Sequence, residues 1–230
     1  MKDFEILTVT NSPFLDIVKK MLVSFNKYHP EIKVNVVCVN MDEEEYEKIR
    51  SYHDNVNIIK FNKKFKKFGG ARELGPSDKD HEQGYCTSCR SWYALDIMEE
   101  TGKSVFYLDA DVHTKGNLND LFKMFENCDF MIRSKTFKPA FKCNAGMVWM
   151  KNNDFNKKII KEWADETKAM GISWRSNQWT LDNLINKYWY QIKYLDFPEK
   201  FNGKTNNPKS VLVHEKGVKL DVRLYNNKSK

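Results

Sequence analysis

Short apolar runs and longer amphipathic runs alternate along the first hundred residues. "FEILTVTN" (4–11), "KVNVVCVN" (33–40) and "VNIIKF" (56–61) are rich in β-branched and aromatic residues and read as strands. Between them, "SPFLDIVKKMLVSFNKYHP" reads as a helix, with Ser12 as cap, Pro13 in the first turn and Pro30 beyond the end. "MDEEEYEKIRSYH" reads as a second helix, its acids loading the first turn as the helix dipole favours. A polar, glycine-bearing loop is expected over roughly residues 62–84. It is followed by a helix through "TSCRSWYALDIMEETG" that Gly102 ends, and by a fourth strand, "SVFYLD". This β-α-β-α-β order predicts an α/β fold with a mostly parallel, doubly wound sheet.

After Leu121 the order changes. "CDFMIRS", "CNAGMVWM", "YQIKYLDF" and "SVLVHE" read as strands, while "FNKKIIKEWADETKAM" and "QWTLDNLINKY" read as helices. No internal repeat or linker is evident. The expectation is one domain over residues 1–225, with a nucleotide-binding half at 1–122 and an acceptor-side half at 123–225. Residues 226–230 are expected to be a disordered tail.

Composition narrows the class. The 230 residues are 41% hydrophobic, enough for a sizeable core, and no apolar run is long enough to span a bilayer. The start goes straight into a strand pattern, without a leader-like apolar stretch. Five cysteines, an odd and sparse set, do not make a disulfide framework and fit a reducing, cytoplasmic setting. The formal charge of +7 favours anionic partners. Most lysines are dispersed, however, which suits a solvated surface better than a nucleic-acid track.

The chemistry concentrates at Asp109 and Asp111. They end the apolar run "VFYL", where parallel sheets place their ligands. Two residues apart on an extended segment, both carboxylates reach toward one point. They repel each other there unless a cation joins them. Carboxylate oxygens suit a hard divalent ion, Mg²⁺ or Mn²⁺, which keeps substrate phosphates among its ligands. Asp109-Ala110-Asp111 is thus a candidate metal–diphosphate clamp.

The stretch "VFYLDADVHTKGNLNDLF" (105–122) resembles the DXD segment of metal-dependent GT-A glycosyltransferases. It is most similar to the glycogenin-like and lipopolysaccharide galactosyltransferase-like enzymes of glycosyltransferase family 8. The resemblance implies a GT-A, Rossmann-like fold with a smaller acceptor-side region. It also implies a nucleotide-sugar donor, UDP-linked, and retention of anomeric configuration. The acceptor would be a glycan, a lipid-glycan or a protein. "CNAGMVWM" is similar to the strand lining the donor sugar and acceptor pocket, which gives Asn144, Ala145 and Gly146 that place. "VLVHEKGVKLD" is similar to the late histidine-x-x-glycine segment, which makes His214 the third metal ligand and sets Gly217 and Lys219 against the diphosphate. "SNQWTLDN" resembles a segment beginning aspartate-glutamine. Here Asn177 and Gln178 stand in that place, with Asp182 either a substitute for the aspartate or a helix-surface residue. The family places the base at the end of the first strand, at Thr8, Val9, Thr10 and Asn11. Arg90 would face the diphosphate, the competing reading being a surface salt bridge.

Other signals carry less. Cys86 and Cys89 form a single CxxC at an expected helix start, where a thiolate would be stabilised, but the absence of a second pair makes a structural role the better reading. Trp174 and Trp179 are candidates for stacking on an acceptor sugar. A sugar-phosphate nucleotidyltransferase on a similar sheet is an alternative, but it needs a glycine-rich basic loop where this chain has "TNSPFLD". A non-catalytic basic protein binding anions or nucleic acid is the other alternative.

Overall fold

The computed structural model describes residues 3–65, 82–136, 142–171, 176–201, 203 and 208–215. The strands are β1 (Phe4–Asn11), β2 (Val34–Val39), β3 (Val56–Phe61), β4 (Ser104–Leu108), β5 (Val112–Thr114), β6 (Phe130–Thr136), β7 (Lys142–Met150), β8 (Tyr194–Asp196) and β9 (Leu212–His214). The helices are α1 (Leu15–Tyr28), α2 (Glu43–Arg50), α3 (Glu82–Ser88), α4 (Arg90–Thr101), α5 (Asn119–Phe125), α6 (Asp154–Met170) and α7 (Ser176–Lys187).

Seven strands form one sheet in the order β3-β2-β1-β4-β7-β6-β8, and β5 pairs with β9 in a small second sheet. The first four strands are parallel, as the alternating pattern predicts. β7 then enters antiparallel between β4 and β6, so the sheet is mixed, though mostly parallel. The chain builds outward from β1 to β3 and then crosses back to place β4 on the other side of β1. That reversal opens a crevice at the carboxyl ends of β1 and β4, the usual ligand position in such sheets.

Strand alternation divides the core. Ile6, Val36, Phe106 and Leu108 pack on one face with side chains of α1, α2 and α5. Leu7, Val37, Val105 and Tyr107 pack on the other with α4, α6 and α7. Trp149 is buried on the first face and Trp163 on the second.

Local signals explain the helix ends and correct three expectations. Asp42 caps α2 in a reciprocal box with Glu45, which stabilises such a start by about 1 kcal/mol. Gly102 closes α4 at φ +68°, a conformation that a side chain disfavours. Ser12 does not cap α1, because its hydroxyl donates to Glu45 Oε2 at 2.9 Å and a 3-10 turn with Pro13 intervenes. The helix expected from residue 87 begins at Glu82 and breaks at Cys89. Cys86 therefore lies inside α3, not at a helix start. Burial raises the pKa of both thiols, so neither is an activated thiolate. Most of the loop expected at 62–84 lies outside the described residues, as do Trp174 and the terminal tail.

At the amino end of the sheet, buried Glu5 accepts from Asn35 Nδ2 at 2.8 Å and from Lys103 Nζ at 3.1 Å, with Lys33 3.4 Å away. Burial pushes its pKa up, but the amide and the two lysines outweigh that and hold it below the usual range. A carboxylate whose folded pKa is depressed contributes stability that is present above the unfolded value and lost as pH falls through the folded one. Urea unfolding should therefore find Glu5→Gln less stable by roughly 1.5–3 kcal/mol at pH 7. The gap should narrow below about pH 4, near the ordinary glutamate pKa. A gap that stayed constant down to pH 3 would remove the charge from this account.

Candidate functional site

β4 stops at Leu108, and the next three residues turn. Asp109 N–H donates to Gly146 O at 2.8 Å, and Val112 N–H donates to Asp109 O at 3.0 Å. The two carboxylates therefore converge through a turn, not along the extended segment the sequence suggested. His214 arrives from β9, whose pairing with β5 sets it opposite Val112, and Glu215 N–H donates to Asp111 O at 3.0 Å. Asp109, Asp111 and His214 thus each present one ligand atom, all within 4.8 Å of one another. His214 Nε2 lies 3.0 Å from Asp111 Oδ1 and 3.7 Å from Asp109 Oδ2.

The cluster's electrostatics favour a cation. Burial pushes the Asp111 carboxyl pKa up; His214 partly counters this, and the Asp109 charge adds to the rise. Two half-buried acids and a buried imidazole form a donor set of the kind that suits Mn²⁺ or Mg²⁺. The surrounding space agrees. A Cβ on Gly146 would sit 2.5 Å from both Asp109 Oδ2 and His214 Cε1, so the side chains close in over bare backbone.

β7 reaches this place through a bulge. Ile132 pairs with Val148, but Arg133 pairs with Asn144, so Ala145, Gly146 and Met147 crowd opposite a single step of β6. Asn144 Oδ1 accepts from Gly146 N–H at 3.1 Å and braces the bulge. Ala145 is buried, and its carbonyl accepts from Arg90 Nη1.

Arg90 is neither on the surface nor turned toward open space. Its Nε donates to Thr87 O at 2.8 Å, its Nη2 lies 3.4 Å from Asp109 Oδ1, and its guanidinium stacks 4.3 Å over the Tyr107 ring. Tyr107, itself buried, donates its hydroxyl to the same Asp109 oxygen at 2.7 Å. Asp109 Oδ1 is thereby held, which leaves Oδ2 facing His214. No sequence signal marks Tyr107, because a tyrosine inside an apolar strand reads as core.

Thr8, Val9, Thr10 and Asn11 lie buried at the carboxyl end of β1, beside this cluster in the fold. Asn11 Nδ2 donates to Glu82 Oε1 at 2.6 Å, and Asn40 donates to the other Glu82 oxygen at 2.8 Å. Asn177 is buried on α7 and committed to packing: its side-chain Nδ2 donates to Thr87 O, and its backbone carbonyl accepts from Trp163 Nε1 at 2.7 Å. Gln178 beside it is half-buried. Asp182 is not a helix-surface residue. It is buried, and it accepts the Cys143 N–H at 2.8 Å, which fixes the start of β7. Gly217 and Lys219 lie outside the described residues.

The sequence profile of nucleotide-diphospho-sugar transferases matches residues 32–219, most of the chain. The chain belongs to this family.

Solved structures agree on the fold of the transferase. The galactosyltransferase LgtC, in complex with donor and acceptor sugar analogues, superposes with a TM-score of 0.60 at 14% identity, over 93% of this chain and 87% of that one. The glycosyltransferase GlyE of Streptococcus pneumoniae TIGR4 gives 0.59 at 18% identity, and mouse xyloside xylosyltransferase 1 gives 0.55 at 11%. The match covers 87% of this chain and 46% of the GlyE chain, so the transferase spans about half that protein's length; for the mouse enzyme the shares are 93% and 98%. A search of curated protein sequences finds no match. The transferase has the fold of the GT-A glycosyltransferases related to family 8. None of its described helices is long and apolar enough to cross a membrane.

Proposed function

We propose that the transferase moves a sugar from a UDP-sugar to a glycan, lipid-glycan or protein acceptor, with Mn²⁺ or Mg²⁺ held by Asp109, Asp111 and His214. The observation that carries this reading is the convergence of those three side chains over Gly146. Bound there, the ion would neutralise charge on the diphosphate as the glycosidic bond breaks.

The protein's own residues then have distinct tasks. Tyr107 and Arg90 fix one oxygen of Asp109, so the acid meets the ion in one orientation. Arg90 acts through Asp109 and the Ala145 carbonyl, not by touching the diphosphate. Thr8 to Asn11 hold the base at the end of β1, where Glu82 orients the Asn11 amide. Asn144 and Gly146 border the sugar. Asp182 supports them by anchoring β7. Of the pair on α7, Gln178 is the member left to meet substrate, and a solved structure of LgtC carries an active-site glutamine-to-glutamate mutation. Gly217 and Lys219 would meet the diphosphate, as the family resemblance implies. The nucleotide is held by residues 1–122 and the acceptor by 123–225, with retention of configuration.

A thermal-shift panel of UDP, GDP, ADP and UDP-sugars, with and without Mn²⁺, tests this. UDP at a hundred times its Kd should stabilise the chain by about 2.7 kcal/mol, or roughly 5–10 °C, only when Mn²⁺ is present. Equal shifts without metal, or none with any nucleotide, would defeat the reading.

A further inference from the structure

Arg133 on β6 is partly buried, and its Nη1 is sealed from solvent without a hydrogen-bond partner. No described carboxylate forms an ion pair with it. The nearest acid on the neighbouring strand is already committed: Asp196 on β8 accepts the Ser134 N–H at 2.9 Å and the Ser134 hydroxyl as well. Asp182 is likewise committed to Cys143. A guanidinium is always charged, and covering part of it without a partner is costly. With no partner among the described residues, such a group is suited to take an anion from outside the chain.

Its position indicates which kind. Residues opposite each other in an antiparallel pair project to one face, and Arg133 is opposite Asn144. Cys143 and Ala145 turn to the face packed by α4, α6 and α7, so Asn144 and Arg133 turn to the opposite face of the sheet. The clamp on Ser134 and the bulge beside it hold Arg133 in place. In sheet order β6 lies two strands from β4, about 10 Å at the usual spacing, with β7 between them. The diphosphate belongs at β4 and the nucleotide on the far side of it, at β1. Arg133 therefore stands beyond the sugar, not beneath the phosphates.

We propose that Arg133 binds an anionic group, a carboxylate or phosphate, carried by the sugar substrate; this rests on the nucleotide-sugar reading above. The planar fork of arginine pairs with either group through two hydrogen bonds. The anion comes either from the donor, as the carboxylate of a uronic acid, or from an acidic acceptor.

Calorimetric titration with Mn²⁺ present distinguishes the two. One arm compares UDP-glucuronate with UDP-glucose. The other holds UDP saturating and compares glucose 6-phosphate with glucose. Each is run on the native chain, Arg133→Gln and Arg133→Lys, with UDP alone as the control. The native chain should prefer the charged probe in one arm by about tenfold or more, the scale of one charge-assisted hydrogen bond. Arg133→Gln should lose that preference, Arg133→Lys should keep part of it, and the Kd for UDP should be the same in all three. No preference in either arm, or one that survives in Arg133→Gln, overturns the assignment while leaving the nucleotide site standing. Failure of UDP to bind the native chain would instead remove the nucleotide-sugar reading and this assignment with it.

Discussion

Asp111→Asn is expected to abolish the Mn²⁺-dependent binding of UDP and, at the same time, to make the metal-free protein slightly more stable. Both effects have one cause. Asp111 is half-buried beside Asp109, and partial burial together with that neighbouring charge makes its ionised form costly. The amide keeps the size and removes the repulsion. Relief of about 1 kcal/mol would raise Tm by roughly 2–4 °C in a chain of this length. The amide is a far poorer ligand for a divalent ion. Losing a direct ligand should weaken Mn²⁺ by more than the roughly 10–100-fold that outer partners contribute. Electron paramagnetic resonance of free Mn²⁺ during titration measures the affinity, and scanning calorimetry measures Tm. An unchanged Mn²⁺ affinity in the variant would place the ion elsewhere.

Gly146→Ala is expected to weaken Mn²⁺ by about 10–100-fold, because the added methyl occupies the space the ligands share. It would lie 2.5 Å from Asp109 Oδ2, 2.5 Å from His214 Cε1 and 3.2 Å from His214 Nδ1. A terminal carboxylate oxygen usually yields to such a contact by rotating. Here rotation is opposed, because Tyr107 and Arg90 hold the other oxygen of Asp109. His214 is no freer, since β9 is fastened to β5 on either side of it. Overpacking of this kind costs about 1–3 kcal/mol of stability. The same titration and melting measurements apply, and an alanine variant with native Mn²⁺ affinity would contradict the geometry. Gly146→Ala and Asp111→Asn should thus move stability in opposite directions while both lose metal.

These sites differ in how far the sequence disclosed them. Asp109 and Asp111 were legible because an apolar strand ending in paired acids is chemically unusual. The parallel half of the sheet was legible because strand and helix periods alternate cleanly up to residue 104. The turn that joins the two acids was not, since a three-residue reversal leaves no periodic trace. Nor was the reversed direction of β7, because an apolar run reads alike in either direction. Arg90, Asn177 and Asp182 illustrate a second limit. The family resemblance gives each a place near the chemistry, yet each is committed to backbone carbonyls or amides that position other residues. Sequence shows that a polar group is present, and only the fold shows what it bonds to. Tyr107 and Arg133 are the converse: inside strand patterns, they gave no reason to expect a site.

His214 completes the cluster from a strand that follows the two aspartates by about a hundred positions. While the polypeptide is being made, the amino-terminal strands can assemble first, yet the third ligand is still unsynthesised. If the proposed ion needs all three side chains, it could settle only after residue 214 has been made, so metal capture would double as a signal that translation ran past that point.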